Sequence, residues 1–216
     1  MKAEEPAKRS RLRLWLAGAL LANLIAAGVL AGLNAVGWLG SDGGAQTPDG
    51  ASAADFAVDL PVGWVENLRW GQRLVEQVDP DLVDALVYFA GLADGAGGYD
   101  PTLSVLREPL PSGSGLAEVA DAKFEAFRKE APGSDVTRTD AGIDGMPAVR
   151  IVVTDPPDLA SGQSFVTAQL LVVRGDEVWA LQCERKTSGS SQRDGDAWEA
   201  CGVAIDAFKF PQGPRP

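Results

Sequence analysis

Histidine is absent from this sequence of 216 residues. Its absence removes the side chain that most often acts as a general base near neutral pH, the commonest zinc ligand, and every Ser-His-Asp arrangement. Gly-x-Ser-x-Gly elbows, phosphate-binding loops and dinucleotide fingerprints are absent as well. We therefore predict no catalytic residue, no metal site and no cofactor, and a non-catalytic function is favoured.

Charged side chains are missing from one long stretch near the start of the chain. No charge occurs from Leu14 to Ser41, and five basic residues precede this stretch within residues 1–13. About 20 apolar residues, at ~1.5 Å each, cover the ~30 Å hydrocarbon core of a bilayer. The pattern predicts a transmembrane helix over residues 14–39 that acts as a signal anchor. Since basic flanks stay on the cytoplasmic side, residues 1–13 form a cytoplasmic tail and the C-terminal part is extracytoplasmic.

Two other interpretations of this apolar stretch fit it less well. A cleaved secretory signal has an apolar core of roughly 7 to 15 residues followed directly by small residues. Here the nearest small-x-small triplet, Ala51-Ser52-Ala53, lies well beyond the apolar residues. A buried helix of a soluble domain would normally keep a polar face, which this stretch lacks. Cleavage is the main alternative to anchoring.

Acidic residues dominate the remainder of the sequence. Residues 1–13 carry a net charge of +3, whereas the remaining residues carry −14. This balance argues against binding to nucleic acid, which needs clustered positive charge, and against docking on anionic lipid. A cationic partner is compatible with it, although a solvated surface kept soluble by repulsion explains it more simply.

A stretch of small and polar residues follows the apolar segment. Residues 40–54 are rich in Gly, Ala, Ser and Asp and contain no large apolar side chain. This composition predicts a flexible linker with a reach on the order of 20 Å. Residues 55–216, about 160 in number, are then predicted to form one extracytoplasmic domain around a single core.

Within this domain the apolar pattern switches between the strand period and the helix period. Strands are predicted over residues 56–60, 86–92, 102–106, 136–140, 148–154, 165–173 and 178–184, and helices over 114–130 and 196–208. Residues 174–177 are predicted to join the last two strands as a short hairpin turn. The pattern indicates an α+β fold in which an antiparallel β-sheet is flanked by α-helices over one face or both.

Cysteine occurs only twice, at Cys183 and Cys201. Alternation along its strand places Cys183 with Trp179 and Leu181 on one side of the sheet, and the helical period turns Cys201 toward the core. In an oxidising compartment two such residues are expected to form a disulfide. The bridge would stabilise the fold by ~3 kcal/mol on the chain-entropy model. Two separate buried thiols and a metal pair are the alternatives.

Acidic side chains offer the one visible route to catalysis. Asp155 and Asp158 flank two prolines and are expected in solvent, so a glycosidase-like pair rests on residue type alone. Asp194, Asp196 and Glu199 resemble part of a calcium loop, but their spacing is wrong and a helix cap explains them. An envelope hydrolase or transferase with an unrecognised carboxylate site remains the alternative to a non-catalytic function.

Three short motifs resemble a known fold. They are Phe56-Ala-Val-Asp-Leu-Pro-Val-Gly-Trp64, a strand that ends at a turn; Asp144-Gly-Met-Pro-Ala-Val-Arg150, the entry to a strand; and Gly175-Asp-Glu-Val-Trp-Ala-Leu181, a hairpin before a strand. With a closing helix, this order is similar to the Mog/PsbP-like fold, and within it to the actinobacterial LpqN-type cell-envelope lipoproteins. The resemblance implies an antiparallel sheet between helices and accessory or binding roles, and it transfers no catalytic residue. Because no cysteine precedes Cys183, lipid attachment at a lipobox cysteine is excluded, and the membrane helix is expected to provide the anchor.

These observations favour a membrane-anchored accessory or binding module of the bacterial cell envelope, whose partner is an envelope protein or ligand of unknown identity. Trp64 and Trp70 lie in a stretch with Arg69 and Arg73, and an exposed tryptophan beside arginine is typical of a partner contact. The alternative is that both rings close the edge of the core. A structural role through association of the apolar helix, with Asn34 facing a partner helix, is a third possibility.

Overall fold

The computed structural model of the chain describes residues 56–95, 97–158, 163–187, 199 and 201–210. The predicted cytoplasmic tail, the transmembrane helix over 14–39 and the linker over 40–54 lie outside the described residues. Among the helices that are described, none combines the length and the apolar character needed to cross a membrane.

Seven strands form one sheet in which every pair of neighbours is antiparallel. The strands are β1 (Trp64–Glu66), β2 (Leu86–Ala93), β3 (Tyr99–Pro109), β4 (Asp135–Ile143), β5 (Met146–Thr154), β6 (Ser164–Arg174) and β7 (Glu177–Thr187). Their spatial order is β1-β2-β3-β7-β6-β5-β4, so that the last strand in sequence lies in the middle of the sheet. Most of β7 is consequently buried on both faces.

Helices cover both faces of the sheet. On the first face, α1 (Leu68–Val78) packs against β2, and α2 (Leu116–Glu130) packs against β4, β5 and β6. On the second face, the helical residues 201–206 and the segment 56–60 cover a core that includes Trp179, Leu181 and Phe208. The predicted α+β fold, an antiparallel sheet flanked by helices, is therefore confirmed for the described domain.

The two ends of the domain meet on the second face. Ala57 and Lys209 exchange two backbone hydrogen bonds, of 2.8 and 2.9 Å between nitrogen and oxygen. Phe56 stacks on Phe208 with the ring centroids 5.3 Å apart. The segment that follows the predicted linker is thus joined to the C-terminal segment rather than to a strand of the sheet.

One prediction for the first part of the domain is wrong, and two elements there were not predicted. Residues 56–60 do not form a strand, because only Ala57 pairs, in an isolated bridge, and the segment lies across the second face instead of extending the sheet. The helix α1 and the short strand β1 were not predicted. Asn67 caps α1, and its buried face includes Trp70, Leu74 and Val75. The sequence therefore does contain a helical pattern of apolar residues, but this pattern spans few residues.

Cys183 and Cys201 form the predicted disulfide, with their Cα atoms 6.0 Å apart. Both are buried on the second face, and the bridge joins the central strand β7 to the terminal helix. The described part of that helix covers residues 201–206, which agrees with the prediction of a helix over 196–208. Asp194, Asp196 and Trp198 lie outside the described residues.

Candidate binding site

The N-terminus of α1 is fixed by one amide side chain. Asn67 Oδ1 accepts a hydrogen bond of 3.1 Å from the backbone N–H of Trp70, which satisfies one of the free donors of the first helical turn. Asn67 Nδ2 donates a bond of 2.9 Å to the hydroxyl of Tyr99 at the start of β3. A single residue therefore holds the helix and the Tyr99 ring in fixed relative positions.

Three aromatic rings pack together beneath the start of α1. The ring centroid of Trp70 lies 4.9 Å from that of Tyr99 and 5.1 Å from that of Phe89. Glycine makes this packing possible, because a Cβ at Gly71 would lie 2.6 Å from Phe89 Cγ and a Cβ at Gly91 would lie 2.7 Å from Tyr99 Cβ. We call these three rings the aromatic wall.

Polar side chains lie beside the aromatic wall on the first face of the sheet. Across β3, β7 and β6, Thr102, Glu184 and Thr167 form one row, and Ser104, Gln182 and Gln169 form the next. All of them except the half-buried Thr102 are buried, and Glu184 is only 6% exposed. We call these six residues the polar floor, since the rest of this face of the sheet is largely apolar.

The polar floor is connected by hydrogen bonds. Gln169 Nε2 donates a bond of 3.2 Å to Gln182 Oε1, and Gln182 in turn bonds to the carboxyl group of Glu184. Gln169 Oε1 is buried without a hydrogen-bond partner. Unsatisfied buried polar atoms are rare in folded proteins because each costs about 1–3 kcal/mol.

A cavity of about 30 Å³ lies between the aromatic wall and the polar floor. Ser104, Gln182 and Glu184 line its buried end, whereas the half-buried Asp100, Phe165 and Lys186 line its outer end. A cavity of this volume has room for about two water molecules. It can therefore accept a small polar group, but not a drug-sized molecule, without rearrangement.

The carboxyl group of Glu184 has a strongly perturbed pKa. The pKa of Glu184 is raised to about 8, chiefly by burial and in addition by the charges of Asp155 and Asp100, against the opposing effects of the Gln182 hydrogen bond and Lys186. The pKa of Asp100 is also raised, chiefly by burial, against a hydrogen bond of 2.9 Å from the backbone N–H of Lys186. At neutral pH Glu184 is mainly protonated, so it can both donate and accept hydrogen bonds in the cavity.

The four residues predicted to contact a partner do not form one surface. Trp64 lies in the core of the second face and Trp70 in that of the first, and they are only 9% and 8% exposed. Both rings are buried, as the alternative interpretation expects, while Arg69 and Arg73 are exposed on α1. Trp70 belongs to the aromatic wall of the cavity. A role of this segment in partner binding stays a prediction.

Of the two aspartates expected in solvent, Asp158 is exposed as predicted, whereas Asp155 is not fully exposed. Asp155 is half-buried, accepts a hydrogen bond of 2.6 Å from Ser134 Oγ, and acts on Glu184, whereas Asp158 is exposed. Glu199 is exposed as well. Within the described residues, no group of three His, Cys, Asp or Glu side chains is arranged to hold a metal ion.

Sequence reasoning missed Glu184 as the centre of the site. The alternation that places Cys183 in the core also places Gln182 and Glu184 together on the opposite face of the same strand. Polar residues on that face are ordinary when it is open to solvent. Their importance depends on the central position of β7 and on the helices above it, which the residue pattern alone does not indicate.

Comparison with known proteins yields structural likeness only. No protein-family model and no curated protein sequence matches the chain. Similar solved structures include LpqN, which is involved in cell envelope biogenesis of Mycobacterium tuberculosis, at 13% identity and a TM-score of 0.47, over 72% of this chain and 83% of LpqN. The Ran-binding protein Mog1p of Saccharomyces cerevisiae has 12% identity and a TM-score of 0.44, over 72% and 89% of the two chains.

A third similar structure is cyanobacterial PsbP from Synechocystis, at 11% identity and a TM-score of 0.41, over 76% of this chain and 98% of that protein. The similar structures thus include LpqN, PsbP and Mog1p, the proteins after which the fold and the lipoprotein group that the sequence motifs resemble are named. This likeness concerns the fold and says nothing about what the present chain binds.

Proposed function

We propose that this protein is a membrane-anchored, extracytoplasmic accessory or binding module of the bacterial cell envelope, which holds a ligand or partner group in the cavity above Glu184. The observation that carries the proposal is the buried polar floor at the end of a small cavity. An apolar floor would pack against α1 without burying a carboxyl group, and burying such a group is unfavourable unless it is fully paired. The polar floor is therefore better explained by binding than by stability.

The location rests on two features of the chain. The uncharged stretch over 14–39 and its basic flank favour an anchored helix with the domain outside. The Cys183–Cys201 disulfide fits an oxidising compartment, because such bonds are rare in the cytosol. Protease added to intact cells is expected to degrade the domain. Protection in intact cells, with degradation in inverted vesicles, would contradict this topology.

A photo-crosslinking experiment tests the binding role in cells. p-Benzoylphenylalanine at Phe165, beside the outer end of the cavity, is expected to form a defined adduct in the full-length protein. The matched control is the same group at Val203, which is 51% exposed on the second face. Adducts from position 165 and not from position 203 would support the proposal. Equal adducts from both positions, or none from position 165, would contradict it.

One observation favours a second candidate function. Glu184 and Asp100 line the same cavity, and both have a raised pKa, as is common for acid–base pairs in active sites. A hydrolase or transferase of this kind would turn over chromogenic esters or glycosides, and Glu184→Gln would abolish the turnover. Turnover that is unchanged in Glu184→Gln, or absent from the wild-type protein, would remove this candidate.

A further inference from the structure

We propose that the cavity above Glu184 binds a protonated primary amine, with the ammonium group between the carboxyl group of Glu184 and the aromatic wall. This inference rests on the proposed binding function and names the chemical class of its ligand. Three observations carry the inference: the charged side chains around the cavity, the aromatic rings that line it, and its volume.

Carboxyl groups from three strands converge on this end of the sheet. Glu184 comes from β7, Asp100 from β3, and Asp155 directly follows β5, and each of the two aspartates acts electrostatically on Glu184. The cationic residues nearby are Arg185 and Lys186, both half-buried on β7. Lys186 offsets part of the negative charge at Glu184. Arg185 and Lys186 balance Asp100 and an ionised Glu184 over the lining as a whole. A cation is therefore favoured at the buried end, which Glu184 lines with the uncharged Ser104 and Gln182, once Glu184 is ionised.

The aromatic wall suits the same kind of ligand. The faces of aromatic rings attract cations, most strongly in tryptophan and in sites that exclude water. Trp70, Phe89 and Tyr99 line the cavity together with Phe165. The hydrogen bond from Asn67 to the Tyr99 hydroxyl holds one of these rings in place before any ligand enters. Little reorganisation is then needed on binding, which favours affinity.

The size of the cavity distinguishes among cations. About 30 Å³ accommodates a group similar in size to one or two water molecules. The tip of a primary alkylammonium ion has this size and can donate three hydrogen bonds, as a lysine side chain does. Quaternary ammonium and guanidinium groups are larger, so we expect them to be excluded. A neutral alcohol would fit but would gain no charge interaction with Glu184.

Binding of an ammonium ion is coupled to ionisation of Glu184. The cation stabilises the carboxylate, whereas burial and the charges of Asp100 and Asp155 favour the protonated form and Lys186 opposes them. Binding near neutral pH must therefore release a proton. Since the carboxylate fraction rises about tenfold per pH unit below the midpoint, the apparent affinity should rise nearly tenfold from pH 6 to pH 7.

Isothermal titration calorimetry of the full-length protein in detergent micelles tests the proposal. n-Butylammonium is the probe, n-butanol and tetramethylammonium are the comparison compounds, and two buffers with different ionisation enthalpies measure the proton release. Glu184→Gln should weaken n-butylammonium binding at least tenfold. Glu76→Gln, on the exposed face of α1, is the matched control and should leave binding unchanged. Ser104→Leu, which fills the buried end of the cavity, is the second variant and should also abolish binding.

The possible results separate the inference from the proposed function. The proposal of an amine ligand is supported if n-butylammonium binds saturably with proton release and this binding is lost in Glu184→Gln and Ser104→Leu. If n-butanol binds as tightly as n-butylammonium, and Glu184→Gln does not affect this binding, the proposal of an amine ligand is overturned. The proposed binding function would still stand. If none of the probes binds, the proposal of an amine ligand is overturned. The proposed binding function is contradicted only if crosslinking from position 165 fails as well. Nα-acetyl-lysine methylamide, titrated in parallel, distinguishes a lysine side chain from a free amine as the source.

Discussion

Asn67 and Tyr99 are joined by a hydrogen bond of 2.9 Å, from the amide Nδ2 to the phenolic oxygen, which links the start of α1 to the start of β3. Because the same amide caps α1 through its Oδ1, its two roles can be separated by mutation. Asn67→Ser keeps a capping oxygen but cannot reach Tyr99, and we expect a loss of about 1 kcal/mol in the free energy of unfolding. Asn67→Ala loses the cap too and should cost about 1 kcal/mol more. Urea denaturation measures both changes.

Tyr99→Phe is the matched control for this pair. It removes the hydroxyl and keeps the ring, so its effect should equal that of Asn67→Ser, and the double variant should be no less stable than either single one. Additive losses would mean that the two side chains do not act through this bond.

Gly71 provides a second test of how α1 packs on the sheet. Alanine normally favours a helix over glycine by about 1 kcal/mol. At position 71, however, the new Cβ would lie 2.6 Å from Phe89 Cγ, and such overpacking costs about 1–3 kcal/mol. Gly71→Ala should therefore lower the thermal unfolding temperature. Gly202→Ala, in the terminal helix with no atom within 4 Å of the added Cβ, should leave it unchanged or raise it.

The stability of the domain should depend on pH through Glu184. Its pKa in the folded protein is about 8, above its ordinary value, so between about pH 5 and pH 8 the folded state retains a proton that the unfolded chain has already lost. The free energy of unfolding should thus fall as pH rises through this window, by at most about 1.4 kcal/mol per pH unit, and level off above it.

Glu184→Gln removes this contribution. The variant should be more stable than the wild-type protein at pH 8 and above, with a smaller fall between pH 5 and pH 8, measured by urea denaturation at each pH. Glu76→Gln should keep the wild-type dependence. Parallel curves for the wild-type protein and Glu184→Gln would show that Glu184 is not the titrating group.

Removal of the disulfide should destabilise the domain without altering the cavity. Cys183→Ala with Cys201→Ala opens a loop that spans a sequence separation of 18 residues, and the loss should be about 3 kcal/mol. The bridge lies on the second face, away from the cavity, so the double variant should still crosslink from position 165 where it remains folded. Unchanged electrophoretic mobility on reduction, with two reactive thiols after unfolding, would mean that the bridge is absent.

Much of the sheet could be predicted because its strands carry strong local signals. Trp179, Leu181 and Cys183 alternate with residues of the other face, and Gly175, with a φ of 63°, supplies the turn between β6 and β7. The helix α1 was harder to recognise, since it is short and contains a glycine in its buried face. The segment 56–60 has the alternation of a strand, but only Ala57 pairs, in an isolated bridge with Lys209.

The site itself could not be predicted from local patterns. Gln169 and Glu184 come from the hairpin of β6 and β7, whereas Ser104 comes from β3, which is distant from them in sequence. Their proximity depends on the register of β3, β7 and β6. Each residue alone resembles an ordinary polar position on the solvent side of a strand. Only the placement of β7 in the middle of the sheet makes the three a buried group.

The carboxyl group of Glu184 offers the most direct test of the account. A ¹³C NMR titration of the full-length protein, labelled at glutamate carboxyl carbons and assigned with Glu184→Gln, would follow its ionisation with and without n-butylammonium. We predict a midpoint of about 8 in the free protein and a midpoint lower by at least about one unit at saturating n-butylammonium. A midpoint near the ordinary glutamate value, or one that does not move on addition of the amine, would contradict the account.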